Sequence, residues 1–200
     1  MKLKSTLTSF MVAAFLVLIH SCSSDDTAPK QQFVINGETI TLKGANLYLT
    51  GGSNCCNDHD YRDYFITDGE FVSGSGWSKS DYTNATYYLA VELAVPAANG
   101  FEPGEFPIYY SFSSAPAESN ISYIWYENAA NDETYFDCES PETSEHESVV
   151  VSGGFDDGET MTVKFTGKLR VYYYDGMNWV DEELTGKVYF KGEVNDVRPI

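Results

Sequence analysis

Seven consecutive residues, Asn57-Asp58-His59-Asp60-Tyr61-Arg62-Asp63, bring three carboxylates, an imidazole and a guanidinium together in a short stretch of chain. Hard cations such as Ca²⁺ collect about 6–8 oxygen ligands, so Asp58, Asp60 and Asp63 are candidate calcium ligands. The run lacks the glycine at its sixth place and the glutamate at its twelfth that an EF-hand loop carries. The competing reading is a polar turn in which Arg62 supplies a local ion-pair partner. A second concentration of acid lies in 128–147, with Asp132, Glu133, Asp137, Glu139, Glu142 and Glu145. Between Lys79 and Lys164 there is no Lys or Arg, against sixteen Asp and Glu. Such a stretch has a negative potential without internal counter-ions. It reads first as a solvated acidic loop, with Ca²⁺ binding as the sharper alternative; no other cofactor is expected.

Cys55, Cys56 and Cys138 are the cysteines beyond residue 22. Bridged Cα atoms prefer a separation of about 5.5 Å, which strains a bond between adjacent residues. A disulfide from Cys55 or Cys56 to Cys138 is therefore the expected pairing in an oxidising compartment, with Cys56–Cys138 as the candidate. For catalysis the sequence offers little. Past residue 22 the histidines are His59 and His146, and no nucleophile-elbow, zincin or P-loop motif occurs. A hydrolase built on two carboxylates cannot be nominated from 30 acids. The 15 tyrosines fall partly in runs, among them Tyr87-Tyr88, Tyr109-Tyr110 and Tyr172-Tyr173-Tyr174. Neighbouring strand residues face opposite ways, so one member of each run belongs to the core. The outward members, taken as Tyr88, Tyr172 and Tyr174, would form a platform on which a sugar ring stacks; cross-strand aromatic packing is the alternative.

The elements that must position these groups are strands. Asn36-Gly37 stands between Phe33–Ile35 and Glu38–Leu42, a hairpin signal because Asn-Gly favours the positive φ of a type I′ turn. Tyr87, Leu89, Val91, Leu93 and Val95 alternate with other residues as in a half-buried strand. The same period runs through Met161, Val163, Phe165, Leu169, Val171 and Tyr173, where Gly167 suggests a bulge or bend. Asp175-Gly176 then predicts a hairpin into Trp179 and onward to Val188, Phe190 and Val194. The stretches 96–107, 111–120 and 128–147 read as loops. No apolar recurrence of helical period persists beyond residue 22. The expected fold is all-β, an antiparallel β-sandwich, with an up-and-down, lipocalin-like barrel as the alternative.

Ahead of this domain, Lys2 and Lys4 precede an apolar run from Phe10 to Ile19, too short to span a bilayer as a permanent helix, which needs about 20 residues. The run ends Ile19-His20-Ser21-Cys22 and is followed by Ser23-Ser24-Asp25-Asp26. This segment resembles the lipobox and acidic export tag of Bacteroidetes-type surface-exposed lipoproteins, with His20 departing from the small or aliphatic residue usual there. The resemblance covers about the first twenty-six residues. It implies cleavage before Cys22, lipid attachment at Cys22, and an address on the outer face of the outer membrane. It says nothing of an activity.

The 200 residues thus divide into a signal peptide at 1–21, a flexible tether at 22–32 and one β-rich domain at 33–200. The 30 acidic against 12 basic residues, a formal charge of −18, exclude a nucleic-acid partner whose phosphates need Lys and Arg. The function expected is that of a non-enzymatic binding or interaction module on the cell surface, for glycans or a surface protein. The rivals are a carrier with an apolar molecule in a barrel mouth and a carboxylate-dependent hydrolase. Acyl chains contribute about 0.8 kcal/mol per buried CH₂, so loss of the anchor is easy to read. Cys22→Ala should move the protein from the membrane to the soluble fraction on cell fractionation, and a variant that stays wholly membrane-bound excludes the anchor.

Overall fold

The computed structural model describes residues 29–35, 37–55, 59–76, 78–109, 116–128, 135–139, 147–174 and 177–199. These contain thirteen strands: β1 (Gln32–Ile35), β2 (Glu38–Thr41), β3 (Asn46–Cys55), β4 (His59–Thr67), β5 (Glu70–Phe71), β6 (Tyr82–Thr83), β7 (Tyr87–Pro96), β8 (Gly104–Pro107), β9 (Ile121–Asn128), β10 (Tyr135–Glu139), β11 (Ser148–Gly153), β12 (Thr160–Tyr174) and β13 (Trp179–Asp196). A single 3-10 turn, Lys79–Asp81, is the helical element among the described residues.

The strands form an all-β sandwich. One layer runs β2-β1-β13-β12-β11-β8, and the facing layer runs β3-β4-β7-β9-β10. The long hairpin β12–β13 belongs to both, because Val194–Asp196 pairs in parallel with β3 and Arg170–Tyr172 pairs with β10. In an up-and-down barrel each strand neighbours the next in sequence. Here β3 runs parallel to β13, β10 pairs with β12 and β8 with β11, which removes the barrel alternative.

The alternating apolar positions do what their period implies. Leu47, Leu49, Tyr64, Ile66, Leu89, Val91, Leu93, Ile124, Met161, Val163, Phe165, Val188 and Phe190 turn inward into one buried core between the layers. Phe33 of β1 meets Tyr126 of β9 across that core at 5.2 Å between ring centres. The Asn36-Gly37 signal marks the β1–β2 hairpin, in which Ile35 pairs with Glu38 and Gly37 takes φ +76°.

Four expectations change. The stretches 96–107 and 128–147 are not wholly loop: each contains a short strand, β8 and β10, four and five residues long, too brief for a periodic signal. Gly167 makes no bulge, because β12 and β13 stay in register through all fifteen pairs, Gly167 opposite Gly186. Its missing side chain instead leaves room for the Glu147 carboxylate, which accepts a hydrogen bond from Lys168 N at 2.9 Å. Finally, β7 is buried on both faces rather than one. The excursion from β5 to β6 folds back over the outer face of the layer, placing Tyr82 against Tyr48, Phe65 and Tyr88. Asp81 shapes that excursion by accepting hydrogen bonds from Gly76 N, Ser78 N and Ser75 Oγ.

Phe33→Ala would open a cavity in the cross-layer contact, a change that costs about 3–5 kcal/mol. Calorimetry should show a melting temperature lower by roughly 6–20 °C, whereas Thr39→Ala on the exposed face of β2 should leave it nearly unchanged.

Candidate functional site

Two open hollows lie where the end of β13 meets β3 and β4. The larger, about 750 Å³, is walled by Thr50, Gly51 and Gly52 of β3, Phe71, Asp157, and the segment Asp196–Pro199. The smaller, about 390 Å³, is lined by Asp60, Tyr61 and Arg62 of β4, the Asn99–Phe101 turn, Gly52 and Arg198. Gly52 and Arg198 belong to both.

Local geometry explains why these residues converge. The register of β3 against β4 shifts between Leu49 and Gly51, a bulge that kinks β3 at the hollow's wall. Arg62 is held on three sides: Nη1 donates to Phe155 O at 3.0 Å, it meets Asp156 Oδ1 at 2.8 Å, and its guanidinium lies 4.5 Å from the centre of the Phe101 ring. The Phe155-Asp156 turn is fixed in turn by Glu159, whose Oε2 accepts from both backbone N–H groups, and Tyr64 Oη donates to Phe155 O. Val197 N donates to Leu49 O, which lays the residues after β13 along β3. Arg198 then grips Asp196 with a two-pronged contact, Nε to Oδ1 at 2.9 Å and Nη2 to Oδ2 at 2.5 Å. The side-chain hydrogen bond from Arg198 holds the Asp196 carboxyl below its ordinary range, and the same bond raises Arg198.

A second feature lies on the outer face of β4. Asp63, with 1% of its surface exposed, sits directly opposite Glu92 of β7 and over Gly51 of β3, where any Cβ would collide with its carboxyl group. Neither carboxyl oxygen has a hydrogen-bond partner. Burial, with the Glu92 charge second, pushes its pKa up to about 8. It lines neither hollow.

The sequence-predicted residues are dispersed. Asp60 and Asp63 are three apart on one strand and so stand on opposite faces of β4: Asp60 in the smaller hollow, Asp63 buried behind Gly51. They do not converge on one ion, and Asp58 lies outside the described residues. No group of three potential metal-ligating side chains comes together among the described residues. Tyr88 is buried beneath Tyr82, so it is not part of an open platform. Tyr172 and Tyr174 occupy positions on β12 opposite Asp181 and Trp179, and their side chains lie outside the described ones.

Cys22 and Cys56 also lie outside the described residues. Cys55, the neighbour of Cys56 in the chain, ends β3, while Cys138 is on β10, with β4, β7 and β9 between them. The expected partner of Cys138, Cys56, is not among the described residues, so that pairing lies outside them. His59 is buried, its Nε2 2.9 Å from Ser119 O, in a structural contact.

Sequence reasoning missed Arg198 and gave Arg62 a local partner. The partner of Arg62, Asp156, lies 94 residues away and was unreadable from spacing, whereas Asp196 stands two residues from Arg198. No family model matches the chain, and neither the curated proteins nor the solved structures compared with it contain a match.

Asp63 gives a pH signature. Its pKa is higher folded, about 8, than the unfolded 3.8, so the folded state retains this proton longer than the unfolded chain does. Its contribution is complete below about pH 4 and is lost as pH rises through about 8. Asp63→Asn should flatten the fall in melting temperature between these limits, so that the variant gains on the parent protein as pH rises past 8. Parallel pH profiles for the two proteins would refute the assignment.

Proposed function

We propose that this protein is a lipid-anchored, surface-exposed binding module of the outer membrane, held there by Cys22, that recognises a glycan without transforming it. The observation that carries the reading is the composition of the paired hollows. Phe71 and Tyr61 contribute apolar ring surface, and Phe101 contributes ring area beside the Arg62 guanidinium that covers one of its faces. Beside them Asp60, Asp157, Asn99 and Arg198 offer hydrogen-bonding groups of both polarities. Sugar rings, with apolar faces and hydroxyl rims, require that mixture. The signal-and-lipobox resemblance supplies the location, and the overall charge of −18 is consistent with a partner that carries no phosphates.

The rival readings draw less support. A carrier of apolar molecules needs an empty apolar interior, and here the space between the layers is filled by Phe33, Tyr64, Phe106, Phe190 and their neighbours. A two-carboxylate hydrolase needs its acids in a cleft. Asp63 and Glu92 are adjacent carboxyl groups, but Asp63 is sealed from solvent and opens onto neither hollow.

Native gels cast with starch, xylan, mannan or laminarin should retard the detergent-solubilised protein in at least one case. Asn99→Ala should weaken that retardation by roughly 3- to 10-fold, the loss of one hydrogen bond of about 0.5–1.5 kcal/mol. If no polysaccharide slows the protein, the glycan reading is lost.

A further inference from the structure

We infer that the two hollows are consecutive subsites for one extended, uncharged glycan strand, which crosses β3 at Gly52 beneath the guanidinium of Arg198. This rests on the glycan reading above and specifies the ligand's class, length and path.

The first argument is continuity. Among the described residues the hollows share Gly52 and Arg198, so a ligand filling both passes this point. Volumes of about 750 and 390 Å³ each fall in the range of a small-molecule site, roughly 300–1,000 Å³. Together they suit a chain of linked rings better than one ring.

The second argument is the crossing itself. A Cβ on Gly52 would come 3.1 Å from Tyr61 O and 3.2 Å from Arg198 Nη1. The glycine keeps the ridge between the hollows low and lets Arg198 lie across it. With Nε and Nη2 committed to Asp196, it is Nη1 that faces the crossing. A donor fixed there meets the oxygen atoms of a linkage between two rings, and Arg198 is thus the specificity-determining residue of the pair.

The third argument is charge. Arg62 is neutralised by Asp156 and Arg198 by Asp196. Asp60 and Asp157 then leave the hollows with a surplus of negative charge, in a protein that is itself strongly acidic. Uronic-acid or sulfated sugars are repelled, while neutral hydroxyls can donate to these carboxylates. A peptide adding to the edge of β3 is disfavoured, because Val197 already bonds Leu49 O and the segment after β13 occupies that side.

The test uses oligosaccharides of one to six units, prepared from starch, xylan, mannan and laminarin, titrated by calorimetry into the detergent-solubilised full-length protein. For the series that binds, affinity should rise at least tenfold between one unit and three or four, then level off once both hollows are filled. Arg198→Ala and, separately, Gly52→Val should return the longer oligomers to within about threefold of the monosaccharide. Asn99→Ala, which touches the smaller hollow alone, should retain a reduced length dependence. Equal affinity for one and four units, or an intact length dependence in both crossing variants, overturns the two-subsite path while leaving glycan binding in place. Tighter binding of pectin or alginate fragments than of neutral ones overturns the charge assignment. Retention of extended peptides with no oligosaccharide bound overturns this inference and the glycan reading together.

Discussion

The fifteen-pair ladder between β12 and β13 is the constraint on which both layers depend. Each strand of this hairpin spends its second edge twice: β12 on β11 and then β10, β13 on β1 and then β3. A slip of one residue would turn every inward side chain outward and would disturb both layers at once. The register holds through Gly167 and Gly186, whose absent side chains admit the Glu147 carboxylate on one side and leave Leu169 and Phe165 close-packed on the other. The same hairpin sets the margin where the hollows lie. By carrying residues 194–196 to the edge of β3, it delivers Asp196, Val197 and Arg198 to the hollows.

A second constraint is the cover over the outer face of β3, β4 and β7. Two carboxylates beneath or within it meet opposite fates. Asp81 is nearly buried, yet it is surrounded by donors and organises the loop that carries it. Asp63 is more deeply buried and has none, so it retains a proton where ordinary aspartates have lost theirs. The difference is not in residue type but in which backbone N–H groups the fold leaves unpaired nearby. Strand N–H groups around Asp63 are consumed by the ladder, whereas the turn around Asp81 has several to offer.

Inward-facing rows were legible because period two is a local property. Tyr87 to Val95 and Met161 to Val171 could be assigned to a core before any partner was known. The outer faces were not legible. Tyr88 looked solvent-facing because nothing within reach along the chain covers it, and the cover arrives from Tyr82 by way of a loop. Asp58, Asp60 and Asp63 looked like one cluster because closeness in sequence was read as closeness in space. An extended strand separates neighbours by face, which put Asp60 and Asp63 on opposite sides.

The amino-acid order by itself determined that the chain is built of strands, which side of each long strand is apolar, where the first hairpin turns, and that a short apolar run from Phe10 to Ile19 stands ahead of Cys22. These follow from interactions within a few residues: alternation, turn geometry and the length of a hydrophobic run. Only the tertiary structure decided that the last strand would lie beside the first and third, that both faces of β7 would be covered, and that Arg62 would pair with the distant Asp156 and share a hollow with Arg198. Those outcomes depend on which layers stack and which edges pair, and the free energy that selects them comes from contacts between segments whose separation along the chain carries no record of the pairing.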